Sequence, residues 1–366
     1  MSVRALEARV WIGKEMANVG TPKAEPGAKH GTGLPSLTIF QSPQSSYLVP
    51  MAASQNVDVY VLPTGYLWLP DRWIFSDGKP GLRHLSPDYS FLICHPSGKK
   101  VLFDLGMRKD LERNPRVIRE DYSVIEPYVP KDAHDLLADG PVHPDQVDIV
   151  VLSHLHFDHS GDVERFPRAR IMVGPGTRDC IQPGYPTADG SPFDGSVLAH
   201  DGFTELKKSD YQKFEPGSVP SGFSFDEGVD LFGDGSLLIL DAPGHMPGHQ
   251  MALARTGEDE WVAMGGDCCH HRNLLDDPTR DISVDVGPNG QPGFHKDPVS
   301  ARETIRKTQS LHSSESVFVA LAHDAQVDGI IPLYPQQLNG WRANGLKSKV
   351  RSEALTLAEV QGRYHD

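Results

Sequence analysis

The chain is short of positive charge. Its 35 Lys and Arg stand against 49 Asp and Glu, a formal net charge of −14 with a pI near 5.6. Nucleic acid is bound through a basic surface, so it is excluded as the main partner. A neutral substrate fits, or an anion met by a local positive charge such as a metal. Cysteine is scarce too, with four residues at 94, 180, 268 and 269. That is too few for a disulfide framework and implies reduced thiols in a reducing compartment. No apolar run approaches the roughly 18 residues of a membrane helix. The N-terminus carries Arg4, Glu7, Lys14 and Glu15 without the apolar core of a secretory signal, and its acids argue against a mitochondrial presequence. The last residues bear no retention or peroxisomal address. A cytoplasmic location without a membrane partner is the expectation.

Residues 1–56 differ from the rest, being rich in Gly, Pro, Ser, Ala and Lys. They read as an extended arm that wraps the domain or the second subunit of a homodimer, or else as plain disorder. Residues 57–366 read as one domain. An alternating pattern predicts a first strand over 57–62. The stretch Pro63 to Pro87, with Tyr66, Trp68, Trp73 and Phe75 among Pro and Gly, reads as a loop. Residues 89–94 and 100–104 flank Pro96-Ser97-Gly98 as a hairpin. Strands are expected at 147–152, 170–173, 236–240, 261–264 and 317–321. Helices are expected within 107–120, before 147, over 298–312 with Asp297-Pro298 as cap and first turn, and through a polar C-terminal part. The stretch from about 176 to 228, rich in Gly, Pro and Ser but bearing seven Tyr and Phe, is a functional insertion rather than an idle one.

Chemistry concentrates in Ser153-His154-Leu155-His156-Phe157-Asp158-His159, directly after the apolar run Val147–Leu152. Imidazole and carboxylate suit zinc and other borderline divalent metals. On a turn after a strand, this spacing can split its ligands between two neighbouring ions, His154 and His156 serving one, Asp158 and His159 the other. Three more candidates follow strand ends: His245 in Pro243-Gly244-His245-Met246-Pro247-Gly248-His249, Asp267 in Gly265-Gly266-Asp267, and His323 in Ala322-His323-Asp324. Strand ends at one sheet edge converge in space, so these residues can share one site.

His-x-His-x-Asp-His, then Pro-Gly-His, then Asp, then His resembles the metallo-β-lactamase superfamily over roughly residues 57–335, and within it most closely the N-acyl homoserine lactone lactonases, enzymes of quorum quenching. The resemblance implies an α+β fold, an αββα sandwich with an N-terminal extension. It implies His154, His156 and His245 at one metal, Asp158, His159 and His323 at the other, and Asp267 bridging two divalent ions, zinc by first choice. It further implies that Asp104 supports a ligand from behind. A hydroxide bridging both ions would open a small, fairly apolar lactone, with Asp158 or a nearby acid supplying the proton to the leaving oxygen. The chain departs from the lactonases at His270, where they carry Tyr; an imidazole there can also donate. That swap leaves thioesters and other carboxylic esters open as substrates. The glyoxalase II pattern would need a further helical domain after His323, where only residues 324–366 remain.

Among the rest, Trp68, Trp73 and Phe75 either line an acyl-chain pocket, the use the resemblance implies for the loop after the first strand, or seal the core beneath the arm, and Phe157 is expected to face substrate or pack. His249 is expected to support the turn after His245. Cys268, Cys269, His270 and His271 look like a zinc set, but adjacent strand residues point to opposite faces, so one ion could not gather all four and they read as packing or as support behind the site. His30, His134, His143, His295 and His312 read as solvated or capping.

Overall fold

Apolar side chains alternating with a period of two build two six-stranded sheets. The computed structural model describes residues 55–215, 217–284, 293–351 and 353–364. The expected arm over 1–56 lies outside the described residues but for its last two. The first sheet runs in the order β1 (Asp58–Pro70), β2 (Arg83–Cys94), β3 (Lys100–Phe103), β4 (Ile149–Val151), β5 (Arg170–Val173) and β6 (Phe203–Glu205). The second runs β12 (Val317–Ala320), β11 (Glu260–Met264), β10 (Gln250–Gly257), β9 (Leu237–Asp241), β8 (Glu227–Asp230) and β7 (Gln212–Lys213). Strands β3 to β6 are parallel, as are β11 and β12; the other pairs are antiparallel.

The strands sort their side chains between three cores. Leu237 and Ile239 of β9, with Val262 and Met264 of β11, face Val61, Phe91, Phe103 and Val151 between the sheets. The alternate residues Leu238, Leu240, Trp261 and Ala263 face Ala301, Ile305 and Leu311 of the long helix Pro298–Ser313. On the outer face of the first sheet, Leu92, Leu102 and Val150 meet Ala133 and Leu137 of the helix Ala133–Ala138. This is the expected αββα sandwich, each sheet buried on both faces.

Much of the expected element list stands. The hairpin turns at Gly98. The helix Pro298–Ser313 starts where Asp297 Oδ1 accepts the Val299 and Ser300 N–H groups, an N-cap with Pro in the first turn. Three expectations need correction. The first strand does not stop at Leu62; it runs to Pro70, absorbing a register shift between Pro63 and Gly65. A Pro is tolerated there because β1 is an edge strand with a bulge. Most of the supposed loop 63–87 is thus the long β1–β2 hairpin. The stretch 176–228 is no simple insertion, since it supplies β6, β7 and the start of β8. The described C-terminal part is mostly turns, with α-helix at Leu357–Gly362 and a short 3-10 turn at Leu346–Ser348. Pro332, Pro335, Gly340 and Gly345 break helical runs, and this segment instead lies along β1, Tyr334 and Leu338 donating their N–H groups to Val61 and Val59. Strand β10 was not anticipated. Among the described residues no helix is long and apolar enough to cross a membrane.

Leu240 is fully buried between the second sheet and the long helix. Leu240→Ala should cost about 2–5 kcal/mol in chemical denaturation; a loss below about 1 kcal/mol would show that this interface does not hold the layer.

Candidate metal centre

Four strand ends deliver the site to one edge. Strand β4 ends at Val151, and the chain continues extended through Ser153, His154 and His156 before the helical turn Phe157–Ser160. That change of backbone separates the two ligand pairs. His154 and His156 approach along the extended segment, whereas Asp158 and His159 project from the turn. His245 follows β9. Gly244 before it has φ +129, and a Cβ there would lie 2.2 Å from the Ala301 N at the start of the long helix, so only glycine lets the helix seat against this turn. Asp267 follows β11 after Gly266 (φ +50), where a Cβ would press on Ser153 at 2.8 Å. His323 follows β12.

All seven predicted ligands converge, in two clusters: His154, His156, His245 and Asp267, then Asp158, His159 and His323, with the ligand atoms of each within 4.8 Å of one another. Asp267 lies between them. Its Oδ1 is 3.2 Å from His159 Nε2 and 3.3 Å from His323 Nε2, while its Oδ2 is 3.4 Å from His245 Nε2 and 3.6 Å from His154 Nε2. Asp158 Oδ2 is 3.6 Å from His323 Nε2, and its Oδ1 is buried without a hydrogen-bond partner.

This donor set fits a bound cation. His154 Nε2, His156 Nδ1 and His245 Nε2 lie 2.9–3.0 Å from one another. Burial holds all three rings well below the usual histidine range, reinforced at His154 by His159 and His245. Neutral imidazoles crowded nitrogen against nitrogen present lone pairs to a common point, which a cation between them relieves. Burial opposes charge on Asp267 as well, yet His159, His270 and His323 hold its carboxyl well below the usual range; burial lifts Asp158.

Behind the clusters, the rings of His323 and His159 are oriented by partners outside them. His323 Nδ1 meets the Pro87 carbonyl at 2.9 Å, which turns Nε2 toward Asp267. His159 Nδ1 meets Asp104 Oδ2 at 2.9 Å, while Asp104 Oδ1 accepts the Ser153 N–H at 2.6 Å. His249, pulled down to about 4 by burial, reaches the Ala242 carbonyl with Nδ1 and takes the Asp267 N–H on Nε2 at 3.1 Å. It supports its turn as expected, and it also fixes the backbone of Asp267.

A pocket opens onto the clusters, walled by Leu67, Leu69, Trp73, Ile125, Phe157 and Phe294. Of the three aromatics expected there, only Trp73 arrives. Phe75 is buried against His271 and under Arg280, and Trp68 lies under Arg83. His270 lines the pocket, its Nε2 3.1 Å from Asp267 Oδ2 and its ring stacked on Phe294 at 4.2 Å. His295, expected to be solvated or capping, is instead buried with its ring 5.5 Å from His245 and 5.4 Å from His270; nothing in its sequence neighbourhood marks it. Asp88 was also missed, though a carboxylate inside an apolar strand is a signal. Its Oδ2 accepts the Met107 N–H, and burial lifts it to about 7. His143 does cap the turn Pro144–Gln146, and His30 lies outside the described residues. Cys268 and Cys269 are buried and belong to neither cluster.

Asp104 sits at φ +63, a conformation Asn also tolerates. Asp104→Asn therefore changes charge more than backbone. It should weaken metal binding about 10–100-fold in competition against a chelator; unchanged affinity would remove Asp104 from the centre.

The profile of the metallo-beta-lactamase superfamily matches residues 86–265. A metallo-hydrolase of Annulohypoxylon moriforme is 35% identical over 82% of this chain and 86% of its own length. A gamma-lactamase of Fusarium pseudograminearum is 30% identical over 82% of each. A cytochrome P450 monooxygenase of Penicillium brevicompactum is 34% identical over 82% of this chain, which spans only 37% of that longer relative. Among solved structures, an N-acyl homoserine lactone hydrolase holding the product N-hexanoyl-L-homoserine at its catalytic metal centre aligns with a TM-score of 0.58 at 19% identity, over 78% of this chain and all of that one, a likeness of fold. With the sandwich, the converging strand ends and these relatives agreeing, the chain belongs to the metallo-β-lactamase superfamily and is a hydrolase of that family.

Proposed function

We propose that this chain opens small, largely apolar lactones at a two-metal centre. The observation that carries the reading is Asp267, set between two clusters of imidazole and carboxylate donors at the mouth of an apolar pocket. His154, His156 and His245 would hold one ion, Asp158, His159 and His323 the other, and Asp267 both; imidazole and carboxylate favour zinc. Two such ions supply a nucleophile from water at neutral pH and polarise a carbonyl.

The chain's own groups do the rest. Leu67, Leu69, Trp73 and Phe294 take the apolar body of the substrate and exclude water from the reacting carbonyl. His270, held flat by Phe294, presents its ring to the pocket and gives a proton from Nε2 to the leaving oxygen, with Asp158 as the second group able to carry one. The ring-opened product keeps both its new carboxylate and its hydroxyl in one molecule, so no second product must leave.

A second reading is γ-lactam opening, favoured by the identity to the Fusarium gamma-lactamase. An amide nitrogen is a poorer leaving group than an alkoxide oxygen, so that reaction leans harder on the proton from His270. The free thiols fit a cytoplasmic enzyme.

Hydrolysis of lactones, γ-lactams, thioesters and simple esters by metal-loaded protein separates these readings. We expect the highest kcat/KM on lactones; a γ-lactam or thioester turned over ten-fold better would replace the assignment. Asp267→Ala should lose metal and nearly all turnover, and retained turnover would sink the two-metal mechanism. His270→Ala should slow opening about 10²-fold, whereas an unchanged rate would make it a packing residue.

A further inference from the structure

Two ligands of the proposed centre, Asp267 and His323, sit on separate loops after β11 and β12. A buried ion pair outside the ligand set ties those loops together. Arg272 lies at the start of the helical turn Asn273–Asp276, shortly after Asp267. Asp324 is the residue after His323. Both side chains are all but inaccessible, 2% and 0% exposed. The contact is a fork: Arg272 Nη2 and Nε donate to the two carboxylate oxygens of Asp324, the Nε bond at 3.2 Å. Nη2 also donates to the Val319 carbonyl of β12 at 2.9 Å, and the guanidinium lies over the Phe318 ring at 5.9 Å.

Three neighbours thus receive one rigid cation: the His323 loop, the strand leading into it, and the aromatic face beneath. A planar guanidinium makes such a fork with a fixed direction. Beyond it, the same loop is held a second time. Asp328 accepts from Tyr89 Oη at 2.9 Å and from Arg363 Nη1 at 2.6 Å, and the Ala322 carbonyl takes the Tyr89 N–H at 3.0 Å. These outer contacts tie the loop to β2 and to the C-terminal helix. Toward the segment that carries Asp267 and His270, the Ala322 N–H donates to the Gly266 carbonyl at 3.4 Å, and the Arg272–Asp324 pair adds the side-chain tie.

A buried ion pair is weak as a source of stability, because desolvation offsets most of the attraction, and apolar replacements of like volume often fold as well. Its worth lies in geometry. A shift of one loop against the other would separate His323 from Asp267, whereas His154, His156 and His245 come from loops the pair does not touch.

We propose that Arg272 and Asp324 are positioning residues, whose pair sets His323 against Asp267 and thereby the affinity of the metal position built from Asp158, His159 and His323. This rests on the two-metal reading given above. The test compares wild type, Arg272→Met/Asp324→Leu and Arg272→Lys by metal content after gel filtration, by stepwise Co2+ titration followed by absorbance, and by thermal melting. We expect about two ions per chain in wild type and about one in the double variant, with a melting temperature near that of wild type. Arg272→Lys keeps a cation on Asp324 without the fork, and so tests the same point in a variant less exposed to misfolding. It should weaken one Co2+ step about 10–100-fold and leave the other unchanged. A double variant, or a folded Arg272→Lys, that binds both ions with wild-type affinity would overturn the positioning role while leaving the centre intact. Wild type that binds no metal would overturn the two-metal reading itself, and this inference with it.

Discussion

The structure turns on one buried carboxylate. Asp267 stands within 3.6 Å of five imidazoles, in a place where an unpaired charge would be costly. Every feature around it reads as an answer to that cost. The imidazoles of His159, His270 and His323 hold it ionised, and the His249 ring fixes its backbone N–H. Gly266 lets the chain pass close to Ser153. A carboxylate with one oxygen toward each of two donor clusters needs both clusters in register, so the demand spreads from the side chain to the strands.

The sandwich meets that demand because its parallel pairs, β3–β4 and β11–β12, end at the same edge. Alternation along β9 and β11 sends each strand's side chains to two different cores, so neither strand can slip by one residue without turning both faces inside out. Register set deep in the core therefore carries outward to the loops. Asp104, His249 and the His323–Pro87 contact translate it into ring orientation, the outer layer on which metal ligands depend.

The convergence of the seven candidate ligands was legible in the sequence because they lie on short segments whose residue types have few other uses. His-x-His-x-Asp-His and the isolated His245, Asp267 and His323 each sit just past an apolar run, and strand ends converge. What escaped was set by distant packing. The β1–β2 hairpin hid behind Pro63 and Gly65, which a bulge absorbs. The C-terminal turns were misread as helix because they are stabilised by contacts with β1 rather than by their own periodicity. His295 and the Arg272–Asp324 pair owe their places to neighbours far off in sequence, and nothing local distinguishes them, whereas Asp88 was overlooked despite being a carboxylate inside an apolar strand. Phe75 and Trp68 show the converse: aromatic character alone did not say which of three rings would reach the pocket.

The treatment of the sheet margins has a consequence for how copies of this chain can meet. A bare strand edge invites another strand to add to it. Here β1 is covered by its own C-terminal turns through Val59 and Val61, and β12 has its Val317 and Val319 carbonyls taken by Lys347 and Arg272 side chains. At the far margins, β6 and β7 are three and two residues long. Continuous sheet growth from one molecule into the next is thereby blocked at the long strands and starved at the short ones. Among the described residues, surfaces left for self-association are those of loops and helices, and the edge that carries Asp267 is free of strand exchange.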